Sequence, residues 1–419
     1  MSEATRIVVT GMGAVSPNGM GEPAFWDACA AGVSGTGLLT RFDASELPCR
    51  VAAEVKEFDV DAHLPARTQK YGLRMVAMAL AATGEALAAS ALDPDAMDLA
   101  ARQRTGVVLG TGAGGIAFGE EQYETLFREG PRRVSPYAIV GSFPGMLSSE
   151  ISMAFNFRAM SHVVSTGCTS ASDAMGYALQ ALRAGWADRI VTGGAEACIT
   201  PGIMAAFCRM GTMTTRNGDG RDASRPFNLD RDGFVLGEGA WILVFETLPS
   251  ARARGAPIVG EVLGYGTTCD AFHRVQPEPS GEEAARAISL ALVDAGMAPE
   301  RADYVNLHGT ATGLNDRIES RAIRLAFGAH TARLPTSGLK SMIGHPQGAC
   351  GAAGMVETLG ALRCGWLPPT INYQRPDPAC DLDYVPNTGR AADLKIGIVN
   401  CIAFGSKNSA LVVRRWDEP

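Results

Sequence analysis

Three side chains in this sequence stand where carbonyl chemistry could be done. Cys168 lies in Val163-Val-Ser-Thr-Gly-Cys168-Thr-Ser-Ala-Ser-Asp173, an apolar run that ends at a glycine and hands over to a helical pattern. Ala171, Met175, Ala178 and Leu182 recur at spacings of 4, 3 and 4, the stripe of a buried helix. A thiol at such a helix start faces free N–H groups and the positive helix end. That position is expected to lower its pKa and raise its thiolate fraction, with Ser170 and Asp173 capping the first turn. His308 follows the apolar run Tyr304–Leu307 in His308-Gly-Thr-Ala-Thr312, and His345 sits in Lys340-Ser-Met-Ile-Gly-His345-Pro-Gln-Gly. A nucleophilic cysteine with two histidines held in glycine turns is an arrangement suited to thioester carbonyls. His63, His162, His273 and His330 have no such surroundings.

These residues need strands and helices to hold them. Strands are predicted at Ile7–Thr10, Thr105–Gly110, His162–Ser165, Arg189–Gly193, Trp241–Glu246, Tyr304–Leu307 and Ile396–Cys401. Helices are predicted at Arg74–Ser90, Ser170–Gly185, Gly281–Ala295, Asp316–Phe327 and Gly348–Gly365. The alternation argues for an α/β fold with buried strands. A shift of 180 residues lays Ser170–Trp186 on Cys350–Trp366, with matches at Met175/Met355, Leu179/Leu359, Ala181/Ala361, Leu182/Leu362, Arg183/Arg363, Gly185/Gly365 and Trp186/Trp366. Two related halves are therefore expected, with the boundary in Ala251–Pro257: residues 1–255 carry the cysteine and 256–419 the two histidines.

Composition excludes several classes. The chain has 419 residues, 46% of them hydrophobic, enough for a large core. Its net charge of −7 argues against generic nucleic-acid or anionic-membrane binding. No run is apolar enough for a membrane span, and no charged-then-apolar leader is evident. Ten cysteines without a C-x-x-C pair read as free thiols in a reducing cytoplasm. No metal site is expected, because no histidine stands at ligand spacing from a cysteine. The 49 glycines cluster where strands turn into helices, positions that need positive φ or room for a ligand.

The motifs together resemble the elongating β-ketoacyl-acyl-carrier-protein synthases. The resemblance rests on Val-Ser-Thr-Gly-Cys168-Thr-Ser, Arg225-Pro-Phe-Asn-Leu-Asp-Arg-Asp-Gly-Phe-Val-Leu-Gly-Glu-Gly-Ala240, Val305-Asn-Leu-His308-Gly-Thr-Ala-Thr, Lys340-Ser-Met-Ile-Gly-His345 and Phe404-Gly. It implies a thiolase-type fold, two similar halves in a five-layer αβαβα stack. Gly-Cys168-Thr-Ser and Pro376-Asp-Pro-Ala-Cys-Asp-Leu-Asp-Tyr-Val-Pro386 further resemble the ketosynthase α-subunit of type II polyketide synthases. A fatty-acid elongating synthase II acting as a homodimer is the alternative, and a non-catalytic carrier-binding scaffold the third reading. Ala403-Phe-Gly-Ser-Lys-Asn408 departs from the family's usual Phe-Gly-Gly-Thr-Asn.

The resemblance also implies roles. Cys168 would take an acyl chain from a carrier protein. A malonyl-carrier thioester would then lose CO2, and its enolate would attack the acyl-Cys. His308 and His345 would donate to the developing enolate, and the N–H groups of Cys168 and Phe404 would form the oxyanion hole. Lys340 and Glu319 would orient the histidine turns through an ion pair. Thr310 and Thr312 would bind the phosphopantetheine arm, which belongs to the carrier, so no resident cofactor is expected. Phe404 would gate the acyl and malonyl sites, and the small Ala113 would leave an open acyl pocket. Arg132 and Arg133 would dock the acidic carrier protein, with Arg67, Lys70 and Arg74 as further candidates. The expected partner subunit is a cysteine-lacking chain-length-factor homologue, or else a second copy of the chain.

Overall fold

The structure is a computed structural model that describes residues 5–66, 69 and 73–417. Ten strands hydrogen-bond in one continuous order. They are β1 (Ile7–Ser16), β2 (Thr105–Gly110), β3 (Ser161–Val164), β4 (Arg189–Glu196), β5 (Gly239–Thr247), β6 (Gly260–Cys269), β7 (Tyr304–Asn306), β8 (Thr336–Ser337), β9 (Ile396–Ala403) and β10 (Lys407–Arg415). The spatial order is β8-β7-β9-β10-β6-β1-β5-β4-β2-β3. Each strand of the first set has a partner five labels later, at the mirrored place in the order. The pairing repeats as well. β2 is parallel to β3 and β4, and β7 is parallel to β8 and β9. β5 is antiparallel to β4 and β1, and β10 is antiparallel to β9 and β6. The two sets meet edge to edge where Ile7, Val8 and Val9 of β1 face Val262, Glu261 and Gly260 of β6.

Six of the helices follow the same symmetry. They are α1 (Arg74–Ala89), α2 (Met146–Phe155), α3 (Ser170–Arg183), α4 (Glu282–Asp294), α5 (Asn315–Phe327) and α6 (Cys350–Cys364). α1 lies on β1 and β5, and α4 lies on β6 and β10. α3 and α6 pack on each other and reach strands of both sets, so they form the middle layer of an αβαβα stack. α6 is buried from Cys350 through Leu362, and its one carboxyl group, Glu357, accepts from Tyr304 and Asn306. Only small residues allow this depth. A Cβ on Gly351 would lie 2.9 Å from the Ser172 nitrogen, and one on Gly110 would lie 2.3 Å from the Ala171 nitrogen. Strands β1 and β5 are buried along their whole length, the pattern of sheets covered on both faces.

The long apolar strands lie where they are predicted, although β1 runs on to Ser16. β6 and β10 are additional. Their sequences, Gly260-Glu-Val-Leu-Gly-Tyr-Gly-Thr-Thr-Cys269 and Lys407-Asn-Ser-Ala-Leu-Val-Val-Arg-Arg415, mix polar and glycine residues that hide the strand signal. The stretch Ala251–Pro257 includes the end of a short helix, Leu248–Ala253. Among the described residues no helix is long and apolar enough to cross a membrane.

Two glycines separate packing from helix propensity. Gly84, inside α1, has nothing within 4 Å of an added Cβ. Gly84→Ala is expected to stabilise the protein by about 0.5–1 kcal/mol. Gly110→Ala must push α3 away from β2 and is expected to destabilise by about 1–3 kcal/mol or more. Urea denaturation midpoints of the two variants check both signs.

Candidate active site

Cys168 occupies a 3₁₀ turn, Gly167–Thr169, that runs directly into α3. Gly167 has φ +73°, a conformation that favours glycine. The related turn 180 residues later, Gln347–Ala349, leads into α6, and there Gln347 has φ +38°. The two turns touch. The Cys168 Sγ lies 3.8 Å from Gln347 Oε1. Glu196, at the end of β4, ties them to a neighbouring loop: its carboxylate accepts from the N–H groups of Gly112 at 2.7 Å and Gly348 at 3.0 Å. The expected cap takes another form. The Ser170 hydroxyl accepts from the Thr166 N–H, and the Asp173 carboxylate accepts from the Thr166 and Tyr265 hydroxyls.

The histidines come from the second half. His345 Nε2 lies 3.2 Å from Cys168 Sγ, and the His308 and His345 rings stand edge to face with centroids 5.3 Å apart. Both are 3% exposed. Burial, followed by the charge of Lys340, holds both imidazoles well below the usual pKa, so both are neutral near pH 7. The Lys340 ammonium donates to the His308 carbonyl at 2.6 Å and lies 3.4 Å from His308 Nδ1. A cation donating to Nδ1 leaves the ring proton on Nε2.

Glu319 grips the other side of the same turn. Its two oxygens accept from the His308 N–H at 2.6 Å and the Gly309 N–H at 2.7 Å. The expected ion pair between Lys340 and Glu319 is absent. Glu319 takes the backbone N–H of His308 and Lys340 takes its C=O, so the two hold one turn without meeting. Asn400 in β9 also donates to Glu319, at 2.7 Å. Burial pushes the Glu319 carboxyl up to about 7 against these donors. Sequence reasoning missed Asn400, Glu196 and Gln347. Asn400 has a visible signal, a lone amide inside the apolar run Ile396–Ala403.

The expected low thiol pKa is also corrected. Cys168 is 4% exposed, and burial pushes its thiol up to about 12. Lys340 and a hydrogen bond from the Phe404 backbone N–H pull it down by less. Desolvation outweighs the helix terminus because no opposite charge touches the sulfur.

Two cavities meet at Cys168. One, of about 220 Å³, is lined by Cys168, His308, His345, Thr310, Thr312 and Phe404 among others. The other, of about 310 Å³, is lined by Cys168, Phe404, Ala113, Ile116, Cys198 and Phe207 among others. Phe404 and Cys168 are the walls common to both.

Two sequence profiles match most of the chain: that of the β-ketoacyl synthase N-terminal domain matches residues 4–251, and that of the C-terminal domain residues 259–374. The chain belongs to the β-ketoacyl synthase family. A 3-oxoacyl-[acyl-carrier-protein] synthase 2 from Synechocystis sp. is 40% identical over 99% of both chains. A solved complex of a type II polyketide acyl-carrier protein with its ketosynthase, bound to the hexaketide, gives a TM-score of 0.89 at 31% identity, covering 99% of this chain and 100% of that one. The ishigamide ketosynthase/chain length factor gives 0.88 at 35% identity with the same coverage. The fold is the family's thiolase-type fold.

The remaining expected residues of this β-ketoacyl synthase fall in three places. Thr310 and Thr312 share a hydroxyl–hydroxyl contact of 3.0 Å on the wall of the first cavity. Ala113 stands where the second cavity passes into an apolar groove of about 790 Å³. Arg132 and Arg133 are exposed in the turn Pro131–Arg133, and Arg133 reaches only the exposed Glu129, at 3.4 Å. Arg74 points inward: it pairs with Glu238 at 2.8 Å and is only 16% exposed. It also donates to the Val55 carbonyl, so its charge is consumed inside the fold and it is no docking residue. Arg67 and Lys70 lie outside the described residues. Ser406, in the departing loop, has φ +63° and accepts from the Phe272 and His273 N–H groups. Cys168, His308 and His345 offer ligand atoms within 4.8 Å of one another, as do His308, Cys350 and Cys401. The Lys340 ammonium on His308 opposes a cation at either set.

A raised thiol pKa predicts a steep pH response. Iodoacetamide labelling of the peptide Ala159–Arg183, whose only cysteine is Cys168, is expected to rise about tenfold per pH unit from pH 7 to 9. A rate already level by pH 8 contradicts the buried neutral thiol.

Proposed function

We propose that this β-ketoacyl synthase elongates fatty-acyl chains on an acyl carrier protein as a homodimer. The observation that carries the chemistry is the convergence of Cys168, His308 and His345 in one cavity, with Cys168 opening on a second cavity as well. In this reading a carrier-bound thioester enters by the cavity lined by Thr310 and Thr312, which bind the phosphopantetheine arm, and the protein holds no cofactor of its own. The sulfur of Cys168 attacks the carbonyl, and the neutral His345, 3.2 Å away, takes the thiol proton. The carrier thiolate leaves and takes that proton from His345, which returns to its neutral form. The acyl chain then lies in the Ala113 cavity.

A malonyl-carrier thioester next enters the vacated cavity and loses CO2. The enolate oxygen receives hydrogen bonds from the two imidazoles, and its carbon attacks the acyl carbonyl. Cys168 departs as a thiolate and regains a proton, leaving a 3-oxoacyl chain on the carrier. Each such donor is worth roughly 2.7–4 kcal/mol in the transition state. Lys340 and Glu319 act as positioning residues by fixing the His308 turn. Phe404 forms the movable wall between the two cavities, and its N–H and that of Cys168 receive the oxyanion.

The fatty-acid reading is supported by the full-length 40% relative named 3-oxoacyl-[acyl-carrier-protein] synthase 2. The polyketide reading, in which the chain pairs with a cysteine-lacking homologue, is favoured by the Gly167-Cys168-Thr-Ser motif and by the ketosynthase likenesses at 31% and 35% identity. A second copy fits the apolar surface around the groove, where Phe127 is 81% and Ile139 66% exposed. Arg132 and Arg133 are the docking candidates for the acidic carrier, acting through local charge rather than net charge.

Incubation with acyl-carrier protein is expected to add the acyl mass to the wild-type chain and nothing to Cys168→Ala. The purified chain alone, a dimer by sedimentation, is expected to convert that adduct with malonyl-carrier protein into a 3-oxoacyl product. Activity only after addition of a cysteine-lacking homologue sinks the fatty-acid reading, and no adduct sinks both. Ala113→Ile is expected to lower kcat/KM for long acyl chains by roughly tenfold or more while sparing short ones, measured across a chain-length series.

A further inference from the structure

A second sulfur cluster, unused by the condensation, lies behind the nucleophile. Cys168, Cys350, Cys401 and Ala403 form a small buried group of their own. Cys350 opens α6 and Cys401 lies in β9. Both are free thiols, 4% and 2% exposed. Their sulfurs and a ring nitrogen of His308 all lie within 4.8 Å of one another. The Cys350 thiol also reaches the Cys168 carbonyl oxygen at 3.2 Å.

We propose that Cys350 and Cys401 are a redox dithiol that hydroperoxides close to a disulfide before Cys168 is oxidised. Proximity of the two sulfurs supplies the partner, and the surroundings supply the reactive form. Burial raises the Cys350 pKa, but the hydrogen bond from Cys401 and the Lys340 charge outweigh it and bring the thiol below its ordinary value. Burial leaves Cys168 at about 12. The thiolate is the species that attacks peroxide, and Cys350 forms it more readily than Cys168, with Cys401 beside it to trap the product. The Cys350 sulfur takes the terminal oxygen of the O–O bond and becomes a sulfenic acid, and the other oxygen leaves as alkoxide, or as hydroxide when the oxidant is hydrogen peroxide. The Cys401 thiol then attacks that sulfur and water leaves. Two thiols and one hydroperoxide give one disulfide, one water and one alcohol, or a second water when the oxidant is hydrogen peroxide. Bond formation requires the sulfurs to approach from within 4.8 Å to about 2.05 Å. Closure withdraws Cys350 from the Cys168 carbonyl, so the oxidised pair alters the turn that carries the nucleophile.

Trypsin places each sulfur in a peptide of its own, Cys350 in Ser341–Arg363 and Cys401 in Ile396–Lys407. The full-length protein is titrated with hydrogen peroxide in the presence of dimedone and then digested without reduction. The expected result is a linked Ser341–Arg363/Ile396–Lys407 pair that forms first and disappears with dithiothreitol. Cys401→Ser is expected to replace it with a dimedone adduct on Cys350. A dimedone adduct on Cys168 while Cys350 and Cys401 remain free overturns the proposal, as does titration to completion without the linked pair. The wild-type arm decides without the variant.

Discussion

Exclusion of water from the reaction centre is the constraint on which the rest of this structure depends. Cys168, His308, His345, Lys340 and Glu319 are all buried, and each ionisable group among them must be partnered or neutral. The structure uses both solutions. The two imidazoles and the thiol are neutral, because burial works against their charged forms. The carboxylates are surrounded by donors: Glu196 by the N–H groups of Gly112, Ala113 and Gly348, Glu319 by those of His308 and Gly309 and by Asn400. A neutral N–H in such a place is a stronger donor to a growing enolate than it would be in water.

Two middle-layer helices provide the dry place. α3 and α6 can sit between the two sets of strands only because small residues stand at their contacts, Gly351 against Ser172 and Gly110 against Ala171. Their N-terminal turns then meet at the centre of the molecule, where Cys168 from one half faces His308 and His345 from the other. Lys340 links the halves electrostatically. It holds the His308 carbonyl by hydrogen bond, and its charge is the largest influence pulling down the Cys168 thiol.

Much of this was legible in the residues. Cys168, His308 and His345 stand out because each follows or occupies a glycine turn, and the 180-residue shift exposes the equivalence of α3 and α6. The fold class follows from the same alternation. What stayed hidden depends on distances between remote segments. No spacing shows that Lys340 and Glu319 hold opposite sides of one peptide rather than each other, or that Arg74 turns inward to Glu238. Nor could position at a helix start reveal that burial wins over the helix end at Cys168, since the depth of the turn comes from α6, packed on it from 180 residues away. β6 was hidden because its glycines, Gly264 and Gly266 among them, serve close packing on α4 and break the apolar run, and β10 because Lys407-Asn-Ser409 and Arg414-Arg415 flank a short apolar stretch.

The symmetry that builds the site also forces its asymmetry. The position related to Cys168 by the 180-residue shift is Gly348. A Cβ there would lie 2.0 Å from the Gly112 nitrogen, closer than any side chain can stand, because the Gly348 turn packs against the Gly112 loop that Glu196 holds. A second cysteine therefore cannot occupy the equivalent place, and the duplicated framework admits one nucleophile. The turn that lost this possibility gained another use: it carries His345, three residues earlier, to within 3.2 Å of the surviving sulfur. One copy of the strand–turn–helix unit carries Cys168, and the other brings His345 to it; in the proposed function these are the attacking atom and one of the donors. The close packing that makes the centre dry is the same packing that assigns those roles.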